Sequence, residues 1–197
     1  MSRRTLSNLL SHEQLSLENV WLWYEFQAAL VSEETRRVLD LFAQGTNTVP
    51  ARYLDKSTDQ LEADFQFQMD ELDKMTILGM LACTEAALRV DFVIRVSSKR
   101  KDDVSRGFRE AYQTQGIEKI RLEEDILDVW KAFGSGASLN RAIAELKCLL
   151  HLRHWLAHGR YWKPKLGRAK GYQPVEVFDI CKALLQAVEL MPPDPTT

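Results

Sequence analysis

Ser57–Ser97 reads STDQLEADFQFQMDELDKMTILGMLACTEAALRVDFVIRVS, a stretch without a single proline, and it decides the fold. It opens on Ser57 with Gln60 three residues on, the reciprocal pattern that satisfies two free amides of a first helical turn. Leu61, Phe65, Leu72, Met75, Gly79, Ala82, Ala86 and Val93 recur at helical spacing. They predict one apolar stripe on a helix running from Thr58 to about Ser97, with Gly79 as the position that permits a bend. Nowhere in the chain do apolar and polar residues alternate over a useful strand length.

Working outward, a first helix is predicted from about Leu17 to Ala43. Trp21, Tyr24, Ala28 and Val31 share a face of it, and Gly45 is its stop. Gly45 to Leu54, with Pro50, reads as a loop. On the other side, the charged run Ser97–Asp103 is a turn, followed by a short helix from Val104 to Thr114 that ends at Gly116. An amphipathic helix from about Leu122 to Phe133 presents Ile126, Val129, Trp130 and Phe133. Ser138 is the expected N-cap of the next helix, Leu139 to about Ala157, which Gly159 ends. Tyr161 to Gln173 is a basic loop. Pro174 fits the first turn of a last helix reaching Met191, stopped by Pro192 and Pro193. The expectation is one all-α domain over residues 1–197, with its core from about 17 to 191 and two long helices at its centre.

A chain of 197 residues and 22.7 kDa buries roughly 70% of its unfolded surface. With 45% hydrophobic and 27% charged residues, it is neither disordered nor fibrous. No apolar run approaches the ~18 residues of a membrane span, Thr76 to Thr84 being the longest candidate, and no secretion signal is read at the N-terminus. Cys83, Cys148 and Cys181 are few, far apart and set among apolar residues, which predicts reduced core thiols in a cytoplasmic protein.

The formal charge of −2 hides an uneven distribution. From Leu146 to Val175 there are seven cations and no carboxylate, so the rest of the chain carries −9. Three of the four histidines, His151, His154 and His158, fall within eight residues of that segment. On the helix that carries them, the ladder Leu139, Ile143, Leu146, Leu150 puts Arg153 where a further Leu is expected. A buried guanidinium needs a partner or a ligand, whereas a surface Arg would only lay its stem along the helix. His154 and His158 share a face at a spacing that can hold zinc, yet Trp155 stands where a metalloprotease helix has Glu, and no Asp, Glu or Cys is near in sequence. No metal and no cofactor is expected. Arg153 and His158 are five residues apart, about 140° round a straight helix. A second copy across a two-fold axis would bring them together. The chemistry of the two suits metal-independent RNA cleavage. An imidazole with a free pKa near ~6.5 moves protons at neutral pH, a guanidinium stabilises charge on a phosphate oxygen, and RNA supplies its own 2′-OH nucleophile.

Arg153-His154-Trp155-Leu156-Ala157-His158 resembles the Arg-x(4–6)-His signature of HEPN domains, helical ribonuclease and RNA-binding domains of prokaryotic defence and toxin systems. Its setting strengthens the resemblance: the string ends an apolar helix late in an all-α chain, and the likeness extends over roughly Leu17 to Leu190. The resemblance implies a four- to five-helix up-and-down bundle that forms a homodimer, RNA as substrate, and a composite cleft lined by Arg and His of both protomers. Arg153 would then bind or polarise the scissile phosphate, His158 would serve as general base or acid, and His154 would orient the substrate. An antitoxin or other regulatory protein is a partner of such chains. In the subgroup silenced by modification of Tyr the pattern is His-x-Tyr; His158-Gly159-Arg160-Tyr161 has one residue more, so Tyr161 departs from it.

Supporting positions follow. Glu85 lies on the flank of the long helix and wants a cation, either Arg89 four residues on or Arg153 across the bundle. The loop residues Arg160, Lys163, Lys165, Arg168 and Lys170 alternate with Tyr161, Trp162 and Tyr172. That mixture suits phosphates plus stacked bases of single-stranded RNA, and equally a solvated loop whose aromatics pack on the bundle. Trp21, Trp23, Trp130 and Trp155 are expected to pack within the bundle or between protomers.

Overall fold

The computed structural model describes residues 10, 13–45, 49–98, 100–163 and 171–191. Among them there are six α-helices and no strand. The first, α1 (Leu17–Ala43), has Ser16 as its cap, whose Oγ accepts from Asn19 N at 3.1 Å. It stops at Gly45, whose φ of +60° is open to glycine. The loop after it contains one 3-10 turn, Ala51–Tyr53. α2 (Thr58–Ser98) begins with the expected reciprocal cap: Ser57 N donates to Gln60 Oε1 at 2.9 Å and Gln60 N to Ser57 Oγ at 3.3 Å.

α1 and α2 form an antiparallel hairpin. Val38 packs with Leu61 and Phe65, Tyr24 donates to Asp73 at 2.9 Å, and Val20 lies beside Gly79. α2 runs unbroken through Gly79, beside which Val20 packs. The single predicted stripe holds for Leu61, Phe65 and Val93 but fails between Phe65 and Val93. Met75 is 59% exposed and Ala82 is exposed, while Thr76, Ile77, Met80, Leu81, Thr84 and Leu88 are buried. Beyond residue 75 the helix has neighbours on several sides, so burial spreads round its circumference.

α3 (Asp103–Gln115) is capped by Asp102, which accepts from Ser105 N at 2.9 Å. The predicted helix 122–133 is two pieces: a π-helical segment Leu122–Leu127 leading into α4 (Asp128–Phe133). The Asp125 carboxylate accepts from Arg121 N at 2.8 Å and Gln115 Nε2 at 2.6 Å, and the wider i→i+5 winding lets Leu122, Ile126 and Leu127 all turn inward. Phe133, predicted to face the core, is 52% exposed. It lies across Gly107, where a side chain on α3 would strike it and Val129.

α5 (Ala137–Ala157) is capped by Gly136 and not by Ser138. Gly136 turns the chain at φ +112°, so the helix starts early and Ser138 falls inside its first turn. The buried ladder is Leu139, Ile143, Leu146, Leu149 and Leu152. α6 (Pro174–Ala187) has Pro in its first turn and a reciprocal cap between Gln173 and Glu176. It ends short of Met191, because Glu189 at φ +43° turns the chain so that Met191 N donates to Asp91 Oδ1 at 2.9 Å. Pro192 and Pro193 lie outside the described residues.

One buried ion network ties these elements together. Arg95, 6% exposed, binds both oxygens of Asp91 (3.0 and 2.9 Å), Asp102 (3.3 Å) and the Glu189 carbonyl (3.1 Å). Its guanidinium lies 4.8 Å over the Trp130 ring. Cys83 and Cys181 are buried as expected, and burial pushes the Cys181 thiol up to about 12; Cys148 is exposed, on the outer side of α5. Trp130 is buried and Trp21 stacks on Phe178 at 4.8 Å, whereas Trp23 is 50% exposed. Among the described residues no helix is long and apolar enough to cross a membrane.

Candidate functional site

The site is built where the end of α5 crosses the middle of α2. α5 finishes with His158 as its cap: Gly159 N bonds to Leu156 O at 3.4 Å and Arg160 N to Trp155 O at 3.1 Å, the paired closure of a Schellman turn. Gly159 at φ +76° makes that turn possible, and Arg160 follows it into the left-handed region at +60°.

Arg153 sits at the edge of the α5 ladder, half-buried, because Leu149 and Leu152 carry the buried face past it. This corrects the reading of Arg153 as the next rung. Its partner is Glu85: Nη2 lies 2.7 Å from Glu85 Oε2. Glu85 Oε1 accepts from Arg89 Nε at 2.8 Å, so the two partners open to Glu85 in the sequence are both taken, one on each oxygen. The Arg153 contact is close without hydrogen-bond alignment, and Arg153 Nε is buried with no acceptor. The guanidinium is therefore held at Nη2 and buried at Nε, which leaves Nη1 for an anion.

These groups line a cleft of about 410 Å³. Glu85 and Arg89 of α2 form one side, residues 120–124 the opposite side, and Leu150, His151, Arg153 and His154 of α5 the third. His158 is not among the lining residues. Its ring lies tilted against that of His154, centroids 4.4 Å apart, and Trp162 lies against both, at 5.5 Å from His154 and 6.3 Å from His158. Trp155 Nε1 donates to Trp162 O at 2.9 Å and folds the start of the loop back onto α5. The structure thus brings Arg153, His154 and Glu85 together and leaves His158 one turn away, reached through the His154 ring.

The loop cations fare differently. Arg160 is not a free cation: it makes a two-point pair with Glu71, both contacts at 2.6 Å. Arg160 and Lys74 hold the Glu71 carboxyl down at about 2. Lys163 is exposed, and Tyr161, 83% exposed, meets Trp162 edge-on at 4.7 Å. Lys165, Arg168 and Lys170 lie outside the described residues. Sequence reasoning missed Glu71 and gave Arg89 and His151 no place in the site. Glu71 had a signal: it stands fourteen residues before Glu85, about four helical turns, on nearly the same face of α2.

Among the described residues no three His, Cys, Asp or Glu side chains are grouped to hold a metal ion. Comparison with family models, with curated proteins and with solved structures found no match.

Proposed function

We propose that this chain is a HEPN-like, metal-independent endoribonuclease, a toxin or defence effector that works in the cytoplasm as a homodimer of up-and-down helical bundles. The observation that carries the reading is Arg153, half-buried at the mouth of a charged cleft and held by one corner on Glu85, with His158 at the end of the same helix. In the reaction His158 takes the proton of a 2′-OH. The 2′-oxygen attacks phosphorus as the bond to the 5′-oxygen breaks. Arg153 stabilises the charge on the non-bridging oxygen, and an imidazolium returns a proton to the leaving 5′-oxygen. The products are a 2′,3′-cyclic phosphate and a 5′-hydroxyl. The dimer supplies the second set of groups that one α5 end cannot aim at the same phosphate.

RNA cleavage in EDTA tests this, with wild type beside Arg153→Ala and His158→Ala. Each substitution is expected to lower the rate by at least ~100-fold with the fold retained. Cleavage undiminished in both sinks the proposal, as does a clean monomer by light scattering at high concentration. One observation favours a second reading, a non-catalytic module that binds RNA or a protein partner: within one chain His158 lies outside the cleft that Arg153 lines. Wild type that binds RNA and never cuts it would select that reading.

A further inference from the structure

We propose that the cleft between α2, the π-helical segment and α5 seats one nucleotide of a single-stranded RNA, with Arg89 beside Arg153 on its phosphate and Glu123 selecting its base. This rests on the RNA reading above. Arg89 and Arg153 share one carboxylate, Glu85, so this wall of the cleft carries one positive charge in excess. Arg89 is also oriented by the chain itself, since its Nη1 donates to Ile120 O at 3.2 Å. The opposite wall has the reverse polarity. Arg121 is matched by Glu124 at 3.0 Å, which leaves Glu123, half-buried and with no ion pair or side-chain hydrogen bond among the described residues. The cleft is thus close to neutral as a whole, with its excess cation held on α2 and α5 and its unpaired carboxylate on the π-helical segment.

A bare anion satisfies only one pole. A nucleotide satisfies both, with phosphate at the arginines and the N–H donors of a base edge at the carboxylate. Leu150, half-buried on α5, gives the ring an apolar contact at the edge of the cleft. Helical segments wound i→i+5 are frequent at functional sites, and this one sets Glu123 toward the cleft while its neighbours Leu122, Ile126 and Leu127 are buried. A carboxylate accepts two hydrogen bonds side by side from guanine N1–H and N2–H, and one from the amino group of adenine or cytosine. Uracil presents a single N–H flanked by two carbonyls that repel it. The expected order is guanine first and uracil last.

The test uses four labelled 2′-O-methyl RNA heptamers that differ only in the central base and cannot be cut, titrated with the full chain by fluorescence anisotropy. Wild type is expected to bind the guanine heptamer about tenfold more tightly than the uracil one. Glu123→Gln should bring the two within about twofold, and its thermal melt checks that the fold is kept. Arg89→Gln should weaken all four about equally and reduce the salt dependence by about one phosphate contact, while Arg89→Lys recovers that dependence. A preference that survives Glu123→Gln, or affinities and salt dependence untouched by Arg89→Gln, overturns the inference. Wild type that binds all four heptamers equally overturns it and leaves the RNA reading standing; wild type that binds none overturns both.

Discussion

From Thr76 to Val96, α2 is surrounded by the start of α1, by α3, by the π-helical segment, by α5 and by α6, and most of its side chains are buried. From Thr58 to Met75 the same helix has α1 along one side, the turn at Tyr53 against Phe65, and Arg160, just past α5, at Glu71. There its buried apolar residues are Leu61 and Phe65, joined by Val38 in a small separate cluster. Composition follows the difference, since the outer half has six carboxylates to one Lys and the inner half two carboxylates to two Arg. One helix is therefore an arm at one end and a core element at the other. The candidate site lies at the change-over, with Glu71 on the arm and Glu85 on the core half.

The largest effect that separates the halves is a cavity. Phe92 is 1% exposed and packs at a tilt against Phe108, ring centroids 5.0 Å apart, so Phe92→Ala is expected to cost about 4 kcal/mol in denaturant unfolding. Phe65→Ala on the arm should cost about 2 kcal/mol or less, because the arm can open without the core. Equal losses would break the distinction. Hydrogen exchange sharpens it: amides around Leu61–Met69 should exchange through an opening of lower free energy than those around Met80–Val96.

Next in size is the turn that aims the end of α5. A Cβ at Gly159 meets nothing within 4 Å, so Gly159→Ala costs only its backbone strain, about 1 kcal/mol. Thermal melting measures it, and no loss would mean that the turn is not needed to place His158. The smallest effect is the tie between arm and site. Glu71→Gln should lower stability by under ~1 kcal/mol, as pairs at the surface do. The folded carboxyl is held at about 2 against an ordinary 4.5, so its contribution is complete above about 4.5 and is lost as pH falls towards 2. The difference between Glu71→Gln and wild type should therefore be constant near neutrality and vanish across that acidic window. A difference that instead changed between pH 6 and 8 would assign the effect to another group.

Helix limits were legible wherever a local signal sets them. The Ser57 and Gln60 cap, the extent of α1, Gly116 after α3 and Pro174 at α6 are each fixed by residues within one turn of the boundary. What sequence periodicity misjudged was set from outside the element. Ser138 lost the cap to Gly136, whose backbone angle decides where the helix starts. The π winding at Leu122 is tied through its own Asp125 to Gln115, which comes from the end of α3. Met75 and Cys148 look like core residues by type, yet the neighbours that would cover them are absent among the described residues.

In the site, Arg153 and Glu85 were readable as a pair because both stood out against apolar surroundings. Their choice of partners was not, since a carboxylate has two oxygens and can satisfy two candidates at once. Arg160 was misjudged for a different reason: its partner Glu71 lies 89 residues away on the arm, and no local pattern joins them.

The bond from Met191 to Asp91 has a kinetic consequence. It closes a loop of 100 residues, while the α1–α2 hairpin is joined by contacts as near in sequence as Val38 with Leu61. Loop closure costs more entropy the longer the loop, so the hairpin can assemble early and the Arg95 network must wait for the chain end to return. Refolding followed at Trp130, beneath the Arg95 guanidinium, should report the last step of assembly rather than the first.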